Sequence, residues 1–427
     1  MGLSLRFGRV AVTAAFSVFA VVAGGVARSA ADDSSSVLRL ADAQAAALRA
    51  RPELVAAAAE ARALEGAERQ ASLRPNPEVT LTVEDVGGTG AFQNTREAQT
   101  TLSVFQPIEL GGDRRARTAV AAQHRALASF DLEARRLDVL AETATAFVAV
   151  LVAQEELHHT GELVELAERE RNVAASRVRE GAALGVDETR ARFAEEEARI
   201  HQTRGRAALE AARMRLAATW GDAEPRFERA DDDLLRVSPP PPLADLVARL
   251  GENPDLARFD AERDERDAKL ALARARRIPD PLVGAGVRHL AGPSDAAFVF
   301  EVAVPLPIFD RQQGAIAEAA ERVTKTSADR AAAERATRAT LVAQHARWGA
   351  AYQEVVAVRD RLLPSAKRAL AELRTAYAAG RVSQLDALAA WRTEFETVDR
   401  MLHQLGEYHE ARIAAERLVG GSVGALR

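Results

Sequence analysis

The sequence predicts a mainly α-helical chain that carries a small set of membrane-type β-strands, and three observations lead there. The 427 residues are 48% hydrophobic, mostly alanine with leucine and valine, against only three Trp, three Tyr and 14 Phe. Alanine-heavy, charge-rich sequence is the composition of long packed helices rather than of cores filled with large rings. Motifs recur at a spacing near 200 residues, so the chain reads as one unit written twice. Short stretches of alternating apolar and polar residues follow the first helix of each unit, as β-strands require.

The same composition excludes chemistry. There is no cysteine, which removes disulfides, Cys-ligated zinc, iron–sulfur clusters and a thiol nucleophile together. Lys and Arg number 57 against 62 Asp and Glu, a net charge of −5. With the two signs mixed along the chain, nothing points to a nucleic-acid partner.

The first 31 residues read as an export signal. Arg6 and Arg9 precede an apolar stretch from Val10 to about Val26, and Ser29-Ala30-Ala31 supplies a small-x-small cleavage site that leaves Asp32 as the mature N-terminus. Cleavage removes three arginines, taking the net charge from −5 to −8. No later segment reaches the 18 or so apolar residues of a spanning helix, the nearest being Ala144 to Ala153. A bilayer crossing therefore falls to strands.

Landmarks define the repeat. Arg51-Pro52-Glu53-Leu54 returns as Asn253-Pro254-Asp255-Leu256, 202 residues on, and Pro75-Asn76-Pro77 as Pro279-Asp280-Pro281, 204 on. Gln106-Pro107-Ile108 matches Val304-Pro305-Leu306. Gly181 with Gly380, Asp187 with Asp386 and Gly221 with Gly420 all lie 199 apart. Ser238-Pro239-Pro240-Pro241-Pro242 is a stiff connector with almost no backbone donors. The organisation is thus a signal over 1–31, a first repeat over 32–238, a polyproline linker over 239–242 and a second repeat over 243–427.

Each repeat reads helix, two strands, then a pair of long helices. The opening helix spans about Leu40 to Leu73, and again Leu243 to Arg277, ending at a Pro-x-Pro that denies it further hydrogen bonds. Val79, Leu81 and Val83 alternate with Thr80, Thr82 and Glu84, and Phe298, Phe300, Val302 and Val304 with Val299, Glu301 and Ala303. This is the pattern of a membrane strand with lipid on one side and a polar lumen on the other. Thr100 to Ile108 and Leu282 to Leu290 fit it less cleanly; Gly87-Gly88-Thr89-Gly90 and Ala291-Gly292-Pro293 close the hairpins. Helical stretches from Asp113 to Glu180 and from Gln312 to Ala379 each approach 100 Å at about 1.5 Å per residue. Apolar stripes run along them at Leu137, Leu140, Ala144, Phe147 and Leu151, and at Leu341, His345, Trp348, Tyr352, Val355 and Leu362. Pro364 predicts a kink or break. Four strands cannot close a barrel, since membrane barrels start near eight, so the chain either stays soluble or shares a barrel with copies of itself.

Arg74-Pro75-Asn76-Pro77-Glu78, Gln106-Pro107-Ile108-Glu109-Leu110-Gly111-Gly112, and Leu363-Pro364-Ser365-Ala366 leading to Tyr377-Ala378-Ala379-Gly380 and Leu385-Asp386, in this order and repeat, resemble the TolC family of outer membrane factors. The strand-entry motifs and Val304-Pro305-Leu306-Pro307-Ile308-Phe309-Asp310 look most like its CzcC-type heavy-metal efflux branch. The resemblance covers about Leu38 to Gly420. It implies a mainly α fold with membrane β: a TolC-like homotrimer in which each protomer gives four strands to a 12-stranded outer-membrane barrel and long helices to a periplasmic α-barrel. It implies a passive duct without catalysis or cofactor, embedded in outer-membrane lipid, docking on a periplasmic adaptor (membrane fusion) protein and an inner-membrane efflux pump. Some relatives carry an acylated N-terminal cysteine; this chain has none, so anchoring rests on the barrel. The resemblance places the adaptor-docking tip at Gly181, Leu184, Gly380 and Ser383, and the pore constriction at Asp386 and Asp187, whose rings favour cations. Glycine suits a helix end and Asp a helix start, so capping is the competing role of these residues. Fuller constrictions in the family have a second acid three residues on, where this chain has Ala389.

Other candidates are weaker. His158 and His159 point about 100° apart on a helix, so solvated surface is expected there rather than a metal site. Asp231-Asp232-Asp233 reads as a solvated loop, and Glu196 and Glu197 as an exposed charged face. No phosphate loop, nucleophile elbow or dinucleotide fingerprint appears. The alternatives are a soluble periplasmic coiled-coil scaffold or adaptor, a duct serving drug efflux or type I secretion, and, last, an exported enzyme.

Overall fold

Two X-Pro steps divide the helices that open the repeats. The computed structural model describes residues 37–421, so the expected signal peptide lies outside the described residues. After the short strand β1 (Val37–Leu38) come α1 (Leu40–Ala50) and α2 (Pro52–Ser72). One helix was expected here, but Arg51 is extended because the Pro52 ring crowds an α conformation at the preceding residue. Pro52 then opens α2 at a position that has no helical acceptor to lose. The strands β2 (Glu78–Glu84) and β3 (Gln99–Pro107) follow, then the 67-residue α3 (Asp113–Arg179), α4 (Gly185–Ala218) and the short β4 (Arg229–Ala230). The second repeat supplies α5 (Leu243–Ala248), α6 (Pro254–Ala275), β5 (Leu282–Leu290), β6 (Asp295–Ala303), α7 (Gln313–Ala357), α8 (Leu363–Ala378) and α9 (Gln384–Leu418). Its opening helix also breaks, at Asn253-Pro254. Asn253 is buried there, accepting the Asp255 N–H at 2.8 Å and donating to the Leu418 carbonyl at 2.9 Å.

Pro364 bends the phase of the helix instead of ending it. A π turn, Val358–Leu362, joins α7 to α8 and carries the chain past the missing proline donor, with the Leu363 N–H bonded to the Val358 carbonyl five residues back. The longer turn shifts the apolar stripe. Leu362, expected on it, is exposed, and Leu363 packs against the core in its place.

The main core lies around the middle of α3. Phe147, Val150 and Leu151 pack with Leu216 of α4, Leu402, Leu405 and Ile413 of α9, and Val355 and Val358. A second cluster joins Leu246, Leu250, Leu341, Trp348 and Tyr408, and a third, Leu163, Ala198, Leu370 and Trp391, ties the far ends of the hairpins. α3 does contain an 18-residue window of mean hydropathy 1.6, contrary to the sequence expectation. That window supplies the main core, with 44% of it buried within the chain, so its apolarity is used in helix packing. Unforeseen in the sequence, β1 and β4 pair in parallel, and the Gln154 side chain holds both polar groups of Ala230, at 2.7 and 3.0 Å. The linker is pinned as well: Tyr408 Oη bonds both backbone groups of Ser238, and His345 meets the Pro241 carbonyl at 2.9 Å.

Two outcomes follow. Asn253→Ala strips a buried cap and a carbonyl partner, and should lower unfolding free energy by about 1–3 kcal/mol in urea denaturation. His409 is buried with its ring Nε2 on the Leu234 carbonyl at 3.0 Å, and burial pulls its pKa below 6.5. The native state then binds fewer protons than the unfolded chain, so the stability from neutral His409 is complete above pH about 6.5 and lost as pH falls from there toward the folded pKa. His409→Gln, which keeps a donor, should flatten the acid side of the melting-temperature profile relative to the unaltered chain.

Candidate functional site

The four long strands form one antiparallel sheet in the order β2-β3-β5-β6. Its pairings fix which side chains share a face, because directly opposed residues point the same way. Leu81 opposes Leu102, Leu102 opposes Val287, and Val287 opposes Phe298. Val79, Leu81, Val83, Leu102, Val104, Val287, Phe298, Phe300 and Val302 therefore lie on one face, and all are bare; Phe298 and Phe300 are each 81% exposed. The other face carries Glu78, Thr80, Thr82, Glu84, Gln99, Thr101, Ser103, Arg288 and Glu301. On it Thr101 and Ser103 are only 6% and 7% exposed. Arg288 binds Thr101 Oγ1 at 3.0 Å and Gln99 Oε1 at 3.2 Å, with Glu84 at 4.0 Å. This sheet is inside out for a soluble protein.

β3 and β5 alternate poorly in sequence for a visible reason. Gly284 lies under the Phe105 ring and Gly286 against Ser103, so neither position has room for a Cβ. Between β3 and β5 the polar face is crowded, and glycine permits the close approach. β2 and β6 are its open edges.

The opposite end of the molecule, about 100 Å along α3, holds the hairpin turns. Gly181 and Gly380 both have φ of 73°, which lets the chain turn back without Cβ strain. In each the helix ends in a Schellman motif: Gly181 N–H to Val178 O with Ala182 N–H to Arg177 O, and Gly380 N–H to Tyr377 O with Arg381 N–H to Ala376 O. The returning helices begin at Leu184 and Ser383. Asp187 and Asp386 cap from the third helical position rather than the first, each accepting the N–H of Leu184 or Ser383 at 3.2 Å. Ser383 completes a reciprocal box, its hydroxyl donating to Asp386 at 2.6 Å and accepting the Asp386 N–H at 3.3 Å. Leu184 has no polar side chain to do the same.

The two turns are neighbours. Arg177 donates to the Tyr377 carbonyl and stacks over the Tyr377 ring at 4.7 Å, and Arg374 reaches Glu170 at 2.7 Å. Neither link was legible in the sequence. Leu184 is 71% exposed at the turn, and Ser383 and Asp386 are exposed beside it. Asp187 has Arg190 at 3.7 Å; the matching position after Asp386 is Ala389, and among the described residues Asp386 has no ion-pair partner.

The remaining charged candidates sort by burial. Glu196 is exposed as expected, but its neighbour Glu195 is 2% exposed and clamped by Arg171 at 3.2 Å and Arg199 at 2.5 Å. His158 is exposed. His159, expected at the surface, instead stacks on Phe395 at 5.4 Å, and burial lowers its pKa. A cleft of about 190 Å³ gathers His159, His201, Glu156 and Asp399, yet among the described residues no three acids or histidines are placed to hold a metal ion. Asp232 and Asp233 are solvated as expected.

Removing the Arg177 guanidinium should loosen the two turns. Spin labels at Ala183 and Val382 should report a broader, longer distance distribution in Arg177→Ala than in the parent chain; an unchanged distribution contradicts the clasp.

Residues 43–222 and 246–421 match the family model described as outer membrane efflux protein. The cobalt-zinc-cadmium resistance protein CzcC of Cupriavidus metallidurans is 33% identical over 369 residues, 86% of each chain. The nickel and cobalt resistance protein CnrC of the same organism is 30% identical over 277 residues, 65% of each. Among solved structures, CusC superposes with a TM-score of 0.75 at 17% identity over 90% of this chain and 92% of its own. The outer membrane protein VceC of Vibrio cholerae gives 0.72 at 18% identity over 90% and 97%. The TolC-type fold expected from the sequence is thus this chain's fold, and the chain belongs to the outer membrane efflux protein family of passive, non-enzymatic channels.

Proposed function

We propose that this chain is the outer-membrane exit duct of a tripartite metal-cation efflux system. Two repeats, residues 32–238 and 243–427 joined at 239–242, follow a cleaved signal over 1–31. Three copies, each giving the four strands of its sheet, close a 12-stranded barrel in the outer membrane, and their helices form a tube through the periplasm. The single observation that carries this reading is the inverted sheet, whose apolar face is bare on all four strands while Thr101 and Ser103 on its polar face are buried. Such a sheet matches lipid outside and water inside. A soluble scaffold or adaptor has no use for it.

Metal cations are the proposed cargo because the relatives named for cobalt, zinc, cadmium and nickel resistance are similar in sequence along much of the chain. The inner-membrane pump makes the choice among them; the duct contributes its entrance. There Asp386, exposed and without an ion-pair partner among the described residues, forms a ring of three carboxylates with Asp187 behind it. Gly181, Leu184, Gly380 and Ser383 present the turns to a periplasmic adaptor, with Leu184 as the apolar contact.

Deleting the gene should sensitise cells to cobalt, zinc or cadmium, with re-expression restoring growth; unchanged metal tolerance in a strain expressing the pump would remove the cargo assignment. In planar bilayers Asp386→Ala should raise conductance and weaken block by divalent cations severalfold, on the order expected for loss of a ring of pore carboxylates. No change in either property sinks the constriction. The thiol-free chain also makes Leu184→Cys and Ser383→Cys clean crosslinking probes, and failure of both to capture the adaptor counts against the tip.

A further inference from the structure

We propose that the open edges of the sheet meet between neighbouring copies in one fixed register, with Glu301 opposite Thr82 and Val302 opposite Leu81 of the next copy. This rests on the shared-barrel reading above and adds to it the residues that form the seam.

The repeat itself supplies the register. Entry prolines Pro77 and Pro281 are displaced by 204 residues, exit prolines Pro107 and Pro305 by 198. Those two displacements carry the pair Glu78 and Phe105 of the first hairpin onto Leu282 and Ala303 of the second, and these are indeed opposed. The hairpins are therefore equivalent pair by pair. Between them lies one internal seam, β3 against β5, where Ser103 opposes Gly286 and Val104 opposes Ala285. Moving β3 forward onto β6 and β5 back onto β2 by the same displacements gives the missing seam. Ser103 and Gly286 become Glu301 and Thr82; Val104 and Ala285 become Val302 and Leu81.

Three further observations agree. The transferred register puts apolar Val302 and Phe300 opposite apolar Leu81 and Val83, and polar Glu301 opposite polar Thr82, so both faces continue unbroken; a slip by one residue inverts every pair. The helices lack the same contact. α3 packs on α2 and on α6, whereas its counterpart α7 packs on α6 and, among the described residues, makes no comparable contact with α2, which leaves α7 and the α2 of the next copy to meet. The strand exit is barer in the second repeat at the matched position: Ile108, whose N–H bonds the Pro281 carbonyl at 2.9 Å, is 38% exposed, while its counterpart Leu306 is 74% exposed. In the transferred register Leu306 faces Pro77 of the next copy. The driving force is the cost of unpaired strand N–H and C=O groups in hydrocarbon, which only a closed ladder removes.

The test is disulfide trapping in the cysteine-free chain. Glu301→Cys with Thr82→Cys places both thiols on the aqueous face, at opposite edges of one sheet, so any bond is intermolecular. Oxidation in native membranes should yield covalent oligomers on non-reducing gels, and Val299→Cys with Glu84→Cys should do the same. Glu301→Cys with Thr80→Cys or with Glu84→Cys is slipped by two residues, a diagonal of about 7–8 Å that lies beyond disulfide reach, and should trap about fivefold less. Preferential trapping of a slipped pair overturns the register. No trapping by any pair, with a heat-modifiable oligomer retained, overturns the edge-to-edge seam while leaving the oligomer standing. A monomer in native membranes overturns the seam and the shared barrel together.

Discussion

In hydrocarbon every backbone N–H and C=O must find a partner within the protein, at several kcal/mol for each one left alone. The four-stranded sheet places this chain under that constraint, because its lipid-suited face is apolar and open while β2 and β6 are unpaired edges. Four strands tilted across a bilayer are too few to curl shut. In the proposed duct the sheet is one sector of a larger wall, and the rest of the molecule is arranged to hold it in place. Glycines 284 and 286 let the polar side crowd, Arg288 ties three strands with charge-assisted bonds, and both strand exits lead into helices of great length.

Those helices solve a second problem with the same repeat. A helix about 100 Å long needs neighbours throughout, and alanine-rich faces let backbones approach closely over that distance. The core is accordingly strung out in clusters, from Leu246 and Tyr408 through Phe147 and Leu405 to Leu163 and Trp391. At the far end the turns are built from backbone hydrogen bonds and a capping carboxylate, so the residues proposed for the entrance also terminate the helices. In the proposed duct Asp386 serves structure and pore alike: its carboxylate binds Ser383 from the side while remaining exposed to solvent.

Much of this was legible in the sequence because it depends on local rules. The glycines at a constant spacing of 199 are all helix ends with positive φ, and the alternation of Val79 to Val83 and of Phe298 to Val302 named the right faces. What escaped depends on tertiary partners. Arg51 and Asn253 interrupt helices whose apolar periodicity runs through the break, so proline's effect on its predecessor outweighed pattern. Leu362 left the stripe because a π turn inserts a phase shift that no 3.6-residue template contains. Glu195 looked like its neighbours, yet two arginines from different turns of α3 and α4 bury it. His159 became an aromatic neighbour of Phe395 only once α9 was folded beside α3. The Arg177 clasp joins residues 200 positions apart and carries no local signature.

The central claim is that the bare apolar face of the sheet meets lipid and the polar face meets water. Single cysteines at Leu81, Val302, Thr82 and Glu301, in intact outer membranes, can be probed with a membrane-impermeant charged maleimide. The account predicts rapid labelling at Thr82 and Glu301 and protection at Leu81 and Val302 that detergent alone does not reverse unless lipid is stripped. Equal labelling at all four positions, or protection on the polar side only, would contradict it.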